Sequence, residues 1–173
     1  MRYLEQDEVD IVVALVPDEP EEGLVRHYWL EQLAWVRGKA TELDLNAPIP
    51  LIGYKDRCLC SRLAVTTLAR ADFGSELVFR ATNAEALRSA VAAGLGLMLA
   101  PRRRIPAGLE AWDDSPLPPP PAVYGGVFVR EDASDMLEQL ADRFAETLRP
   151  ADTDTEPRPA PRVAAEQDAR RLA

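Results

Sequence analysis

The chain has 173 residues, 47% of them hydrophobic, and carries 20 Lys and Arg against 29 Asp and Glu for a net charge of −9. That length and apolar content suit one domain or two small lobes. The acidic balance argues against direct DNA binding by this chain, because phosphate neutralisation needs clustered cations.

The first ten residues are charged and no apolar run reaches membrane-spanning length, so a cytoplasmic chain with no membrane partner is expected. Val9 to Leu15 is apolar apart from Asp10 and reads as a strand buried on both faces. Pro17 to Gly23 (PDEPEEG) is an exposed acidic loop. His27 to Val36 reads as one strand region, followed by a polar turn at Arg37 to Ala47 and a strand at Pro48 to Tyr54. Cys58 to Ala71 is a predicted helix with Leu59, Leu63, Leu68 and Ala71 near one face, and Gly74 is expected to turn the chain after it.

Leu77 to Pro101 is the most informative stretch. Leu77 to Arg80 is β-prone. Thr82 and Glu85 have capping-box spacing. Ala84, Leu87, Ala90, Val91 and Leu95 recur near helical spacing, and Gly94 and Gly96 are expected to end the helix. Leu97 to Ala100 is a short buried run that Pro101 stops. This is an open α/β unit, and such sheets bind ligands at strand C-terminal ends.

Arg102 to Arg104 reads as a solvated loop. Leu109 to Trp112 is a further short strand and Pro116 to Pro121 a stiff connection. Val123 to Val129 is a strand whose Gly125 and Gly126 fit a flexible crossing or a close backbone approach. Ala133 to Leu148 reads as an amphipathic helix with Met136, Leu137, Leu140, Phe144 and Leu148 on one face. From Pro150 the composition predicts a disordered tail.

No catalytic constellation is legible, so no enzyme is expected. His27, the sole histidine, has no nucleophile motif beside it, and Asp113-Asp114 and Glu21-Glu22 read as solvated loop charge. Cys58 and Cys60 are too few for a disulfide framework and have no further ligands for zinc, so neither metal nor cofactor is expected. Two ordinary thiols, one buried and one partly exposed, outweigh a redox-sensing role for Cys58.

Three places have ligand-binding potential. Thr82 and Asn83 lie at a helix N-terminus, where free amides suit a carboxylate or other small anion; a plain helix cap is the competing reading. Gly53, Tyr54, Lys55 and Arg57 lie where a strand meets the helix at Cys58, with the two cations either attracting an anion or standing as surface charge. Leu15 and Val16 end the first strand and would rim an opposite wall, though apolar side chains there fit packing better.

Ser89 to Leu97 (SAVAAGLGL), with its proline-closed strand, resembles the effector-binding domain of LysR-type transcriptional regulators. Val9 to Val13, Leu30 to Val36, Pro48 to Tyr54, the helix with Cys58, Arg62 and Leu68, Ile105 to Leu109 and Leu117-Pro118 resemble other parts in the same order, over roughly residues 3 to 149. The resemblance implies an α/β, periplasmic-binding-protein-like fold of two lobes joined by crossing strands. Residues 1–36 would be the remnant of an incomplete first lobe, 37–122 the second lobe, 123–149 the return strand and helix, and 150–173 the tail. Leu33 to Val36 and Val123 to Val129 would cross between lobes. It implies a small-molecule effector at Thr82, Asn83, Gly53, Tyr54, Lys55, Cys58, Leu15 and Val16, and a homo-oligomer formed in part through the helix at Ala84 to Ala93. Nothing at the N-terminus matches the family's helix-turn-helix or opening strands, so the chain resembles the C-terminal part of a regulator. The alternative is a standalone binding or interaction module that pairs with a full-length regulator.

Overall fold

The computed structural model describes residues 4, 6, 8–21, 23, 25–54 and 58–149; Lys55, Arg57 and the expected tail from residue 150 lie outside them. In chain order the elements are β1 (Ile11–Val16), β2 (Val25–Glu31), β3 (Leu33–Arg37), β4 (Ile49–Tyr54), α1 (Leu59–Arg70), β5 (Ser75–Ala81), α2 (Ala84–Ala92), β6 (Met98–Pro101), β7 (Glu110–Ala111), β8 (Val123–Val129) and α3 (Asp135–Leu148). Contacts divide the chain into two units. The first lies within Met1–Ala14, Glu19–Trp29 and Gly125–Ala173, the second within Leu15–Asp18 and Leu30–Tyr124. His27 to Val36 is therefore two strands in different sheets, parted at the exposed Gln32.

In the second unit β3 lies between β6 and β7, antiparallel to both, while β4 and β5 pair in parallel. Leu97 joins the two groups: its amide donates to the Pro50 carbonyl at 2.8 Å and its carbonyl accepts from Ile52 at 2.7 Å. Gly96 is needed for this approach. A Cβ there would stand 2.5 Å from the Pro50 carbonyl oxygen, and its φ is not positive, so it is not a helix stop.

Helices cover both faces of this sheet. Cys60, Ala64 and Leu68 of α1 pack with Trp35, Ile49, Leu51, Leu97 and Leu99. Leu87, Ala90 and Val91 of α2 pack with Ile52 on the opposite side of β4. The Trp35 indole donates to the Pro118 carbonyl at 2.8 Å, which anchors the proline-rich connection.

Two helix ends differ from the sequence expectation. The Gly94 amide donates to Val91 and the Leu95 amide to Ala90, with Gly94 at φ +79°, a Schellman closure of α2. Leu95 thus falls outside the helix and is 53% exposed. After α1 the same closure forms with Asp72 at φ +60°: its amide donates to Ala69 and that of Phe73 to Leu68. Asp72, not Gly74, makes the turn. The arginine run is a 3-10 turn whose three side chains are exposed, as a solvated connection requires; Arg102 also donates to Asp113 and Arg103 to the buried Glu31.

The first unit is built on a sheet in the order β1–β8–β2. Trp29, Val127 and Val129 form its core with Ala141 and Ala145 of α3, and Ile11 packs against them. Gly125 permits a close approach, since a Cβ there would meet the Trp29 ring at 2.5 to 2.9 Å. One expectation fails here: β1 has no fully buried residue, although its sequence reads as buried on both faces. The helix α3 forms as expected; Leu137 and Leu148 of its apolar face are half-buried, Leu148 against the core, while Met136 is 76%, Leu140 43% and Phe144 40% exposed. Among the described residues, nothing covers those last three side chains.

Candidate functional site

The register of β4 and β5 sets Gly53 beside Arg80 and Tyr54 beside Ala81. Parallel strands deliver their C-terminal ends to one side. Here α1 and α2 both begin just beyond those ends. Gly53, Tyr54, Cys58, Thr82 and Asn83 are thereby gathered at one edge of the second unit, where two helix N-termini present free amides.

At α2 the cap is Asn83, not Thr82. The Asn83 side-chain oxygen accepts from the Ala86 amide at 2.8 Å, from an extended backbone of φ −126° and ψ 151°. The capping box expected of Thr82 and Glu85 does not form, because Glu85 turns outward to Arg88 at 2.5 and 3.0 Å. Asn ranks above Thr as a cap, and the helix starts one residue later as a result. The Asn83 side-chain NH2 is not used in this cap, so Asn83 can both close the helix and donate to a ligand.

Cys58 occupies the N-cap position of α1 without a capping hydrogen bond. Its thiol is nevertheless held far below the usual range, at about 5, first by the Cys60 thiol and then by the amide and hydroxyl of Ser61. The buried Cys60 is pushed up, chiefly by that same contact and by desolvation. A thiol of lowered pKa thus stands at the start of α1. Ser61 also explains Gly53, because a Cβ at Gly53 would collide with the Ser61 hydroxyl. Sequence reasoning missed Ser61, whose role depends on a crossing of strand and helix that no local pattern reveals.

Tyr54 is exposed and Thr82 lies at the surface. Leu15 is half-buried against the core cluster that Cys58 also touches, and Val16 is half-buried. A concavity of about 290 Å3 lies at the other end of β4, lined by residues that include Asn46, Pro48, Asp72 and Phe73, and so holds none of the expected site residues. In the first unit His27 is tied to Asp142 at 2.7 Å. Among the described residues no cluster of His, Cys, Asp and Glu has metal-binding form, and no helix is long and apolar enough to cross a membrane.

A model of the LysR substrate binding domain matches residues 1–151. Among curated proteins none matches this sequence. Solved structures do match. The bromide-bound regulatory domain of HypT from Salmonella typhimurium is 18% identical with a TM-score of 0.60, over 85% of this chain and 75% of that one. The regulatory domain of CcmR from Synechocystis PCC6803, in complex with 2-PG, is 15% identical with a TM-score of 0.60, over 87% and 78%. Full-length HypT, a hypochlorite-specific LysR-type transcriptional regulator, is 20% identical with a TM-score of 0.59; this chain covers 53% of it. At these identities the likeness shows the fold, a two-lobed α/β domain of the periplasmic-binding-protein kind.

Proposed function

The chain belongs to the LysR substrate-binding domain family, and from that premise we propose that its second unit senses a small anionic effector at the C-terminal ends of β4 and β5. The observation that carries this reading is the pair of helix N-termini opening side by side beyond adjacent parallel strands. Asn83, Thr82 and the first amides of α2 bind the anionic group. Tyr54, exposed at the end of β4, and Gly53 shape the neighbouring wall. Lys55, next in sequence after Tyr54, adds positive charge. Leu15, Val16 and Cys58 contribute the apolar and thiol side of the site. The effector acts in a regulator that reads DNA through another element and works as an oligomer, in the cytoplasm, and this chain carries out no catalysis of its own.

The test is a thermal melt of the full chain against bromide, sulfate, inorganic phosphate and a panel of small carboxylates. At least one should raise the Tm, by less in Thr82→Ala, which spares the Asn83 cap. Alkylation of Cys58 by iodoacetamide at pH 6 gives a second readout. A bound anion nearby raises the thiol pKa and slows the reaction. If no anion shifts the Tm or slows alkylation, the reading fails.

A further inference from the structure

The two ends of α1 meet opposite ends of β4 and β5. Its N-terminus lies beyond the C-terminal ends of those strands, and its C-terminus lies where Pro48 and Gly74 lead into them. The cavity of about 290 Å3 opens at that second end, with Leu45, Asn46, Pro48, Asp72 and Phe73 in its lining. Its polar side chains are acceptors. Asp72 supplies a carboxylate. Asn46 donates to Asp44 through its main-chain amide at 2.9 Å and its side-chain NH2 at 3.2 Å, which leaves the side-chain oxygen as an acceptor. The last carbonyls of α1 add partial negative charge. No Lys, Arg or His is among the described residues that line the cavity; Arg70, the cation nearest Asp72 in sequence, is not one of them.

We propose that this cavity binds a small organic cation: an amidinium, guanidinium or ammonium group set against Asp72, on a short apolar body that rests on Leu45, Pro48 and Phe73. Charge sets the first requirement, since the lining offers a carboxylate and acceptors but no cation of its own. The backbone at Asp72 points the same way. Among the described residues it is the only one other than glycine with a positive φ, at +60°. Glycine would close α1 there with less strain, so the turn holds a carboxylate at the cavity in place of the residue that suits the backbone best.

Size sets the second. Ligand pockets commonly span about 300–1,000 Å3, and this cavity stands at the lower end of that range. A water molecule's share of liquid volume is about 30 Å3, so the cavity suits a ligand of roughly ten heavy atoms. The named lining residues are exposed apart from the half-buried Phe73, so solvent screens the charge. Affinity is accordingly modest, with a Kd of about 1 mM. The cavity shares no residue with the anion-sensing end of the strands, and each site stands or falls without the other.

Three probes of one shape separate charge from apolar contact: benzamidine, a cation; benzamide, neutral; and benzoate, an anion. Each is titrated into the full chain, and the amide NMR signals of Asn46, Ala47, Phe73 and Gly74 are followed. Benzamidine should shift them with a Kd of about 1 mM, benzamide should bind about fivefold more weakly and benzoate should leave them unmoved. Asp72→Asn keeps a residue that tolerates the left-handed turn and removes the charge, so it should weaken benzamidine about three- to fivefold. Asp72→Gly should bind as weakly while melting no lower than the parent, which separates the carboxylate's part in binding from any part in folding. Ala47→Arg, at an exposed lining position, should abolish binding by placing a fixed cation there. Several results would overturn the proposal. One is no shift at about 10 mM benzamidine. Another is equal binding of benzamide, which would reduce the site to apolar contact. A third is a Kd indifferent to both Asp72→Asn and Ala47→Arg. A fourth is an arginine-containing peptide that moves the same signals at least about tenfold more tightly, since the occupant would then be a protein segment.

Discussion

In the second unit β3 and β4 each have a pairing partner on both sides and the sheet has a helix on each face, whereas in the first unit β1 has one neighbour among the described residues and only the alanines of α3 are fully buried. The sequences of the two regions are equally apolar. The difference lies in how much of that apolar surface finds a partner within the chain. Hydrophobic stabilisation scales with area removed from water, so the same residue type should contribute far more in one unit than in the other.

Leucine and valine deletions sharpen that contrast. Leu68 is fully buried between α1 and the sheet, and Leu68→Ala should cost about 3 kcal/mol by transfer and cavity terms. Val13→Ala, at a 43% exposed position on β1, should cost at most about 0.5 kcal/mol. Urea titration of both variants gives the comparison. Equal losses would mean that β1 is covered in solution.

A smaller effect is expected at the one tight spot of the first unit. Gly125→Ala drives a methyl group into the Trp29 ring, which is only 2% exposed and has no room to yield. Overpacking of this kind costs about 2 kcal/mol. The same titration should show it, and a neutral result would mean that the Trp29 pocket is loose.

The legibility of the chain follows the same division. The strand–helix–strand unit at Leu77 to Pro101 was readable because each step has a local signal: β-prone residues, a cap, a helical repeat and a glycine stop. The placement of Gly53, Tyr54, Thr82 and Asn83 at or just beyond the ends of β4 and β5 followed from that topology. The choice between Thr82 and Asn83 as cap turned on a one-residue shift in the helix start, below the resolution of pattern reading. Gly96 looked like a helix stop, yet it serves a strand crossing 46 residues away from Pro50 in chain order. On α3 the periodicity correctly marked an apolar face. Burial depends on what stands opposite, and the sheet there ends at β1.

Asp142 offers a pH test confined to the first unit. The Arg26 guanidinium, with help from His27, holds its carboxyl well below the usual carboxylate range, at about 2. A depressed carboxylate stabilises the fold above its unfolded pKa of about 3.9, and the contribution is lost as pH falls toward 2. Asp142 is 38% exposed, so solvent screening limits the effect to about 1 kcal/mol. Asp142→Asn should therefore be less stable than the parent at pH 6, with the gap closing between about pH 4 and 2. A gap that persists at pH 2 would assign the loss to packing.

The smallest expected effect is a gain, and it belongs to the second unit. Asp72 closes α1 at φ +60°, a conformation that favours glycine, and a Cβ there costs free energy that the Schellman bonds offset. Asp72→Gly removes this strain but increases the freedom of the unfolded chain, so the net gain should be about 0.5 kcal/mol. Phe73 keeps its contact with the cluster around Leu68, and the closure itself should persist. Asp72→Ala provides the control. It removes the carboxylate but keeps the Cβ, so it should not stabilise. A rise in urea midpoint for glycine alone would locate the strain in the backbone; a rise for both would locate it in the charge of Asp72.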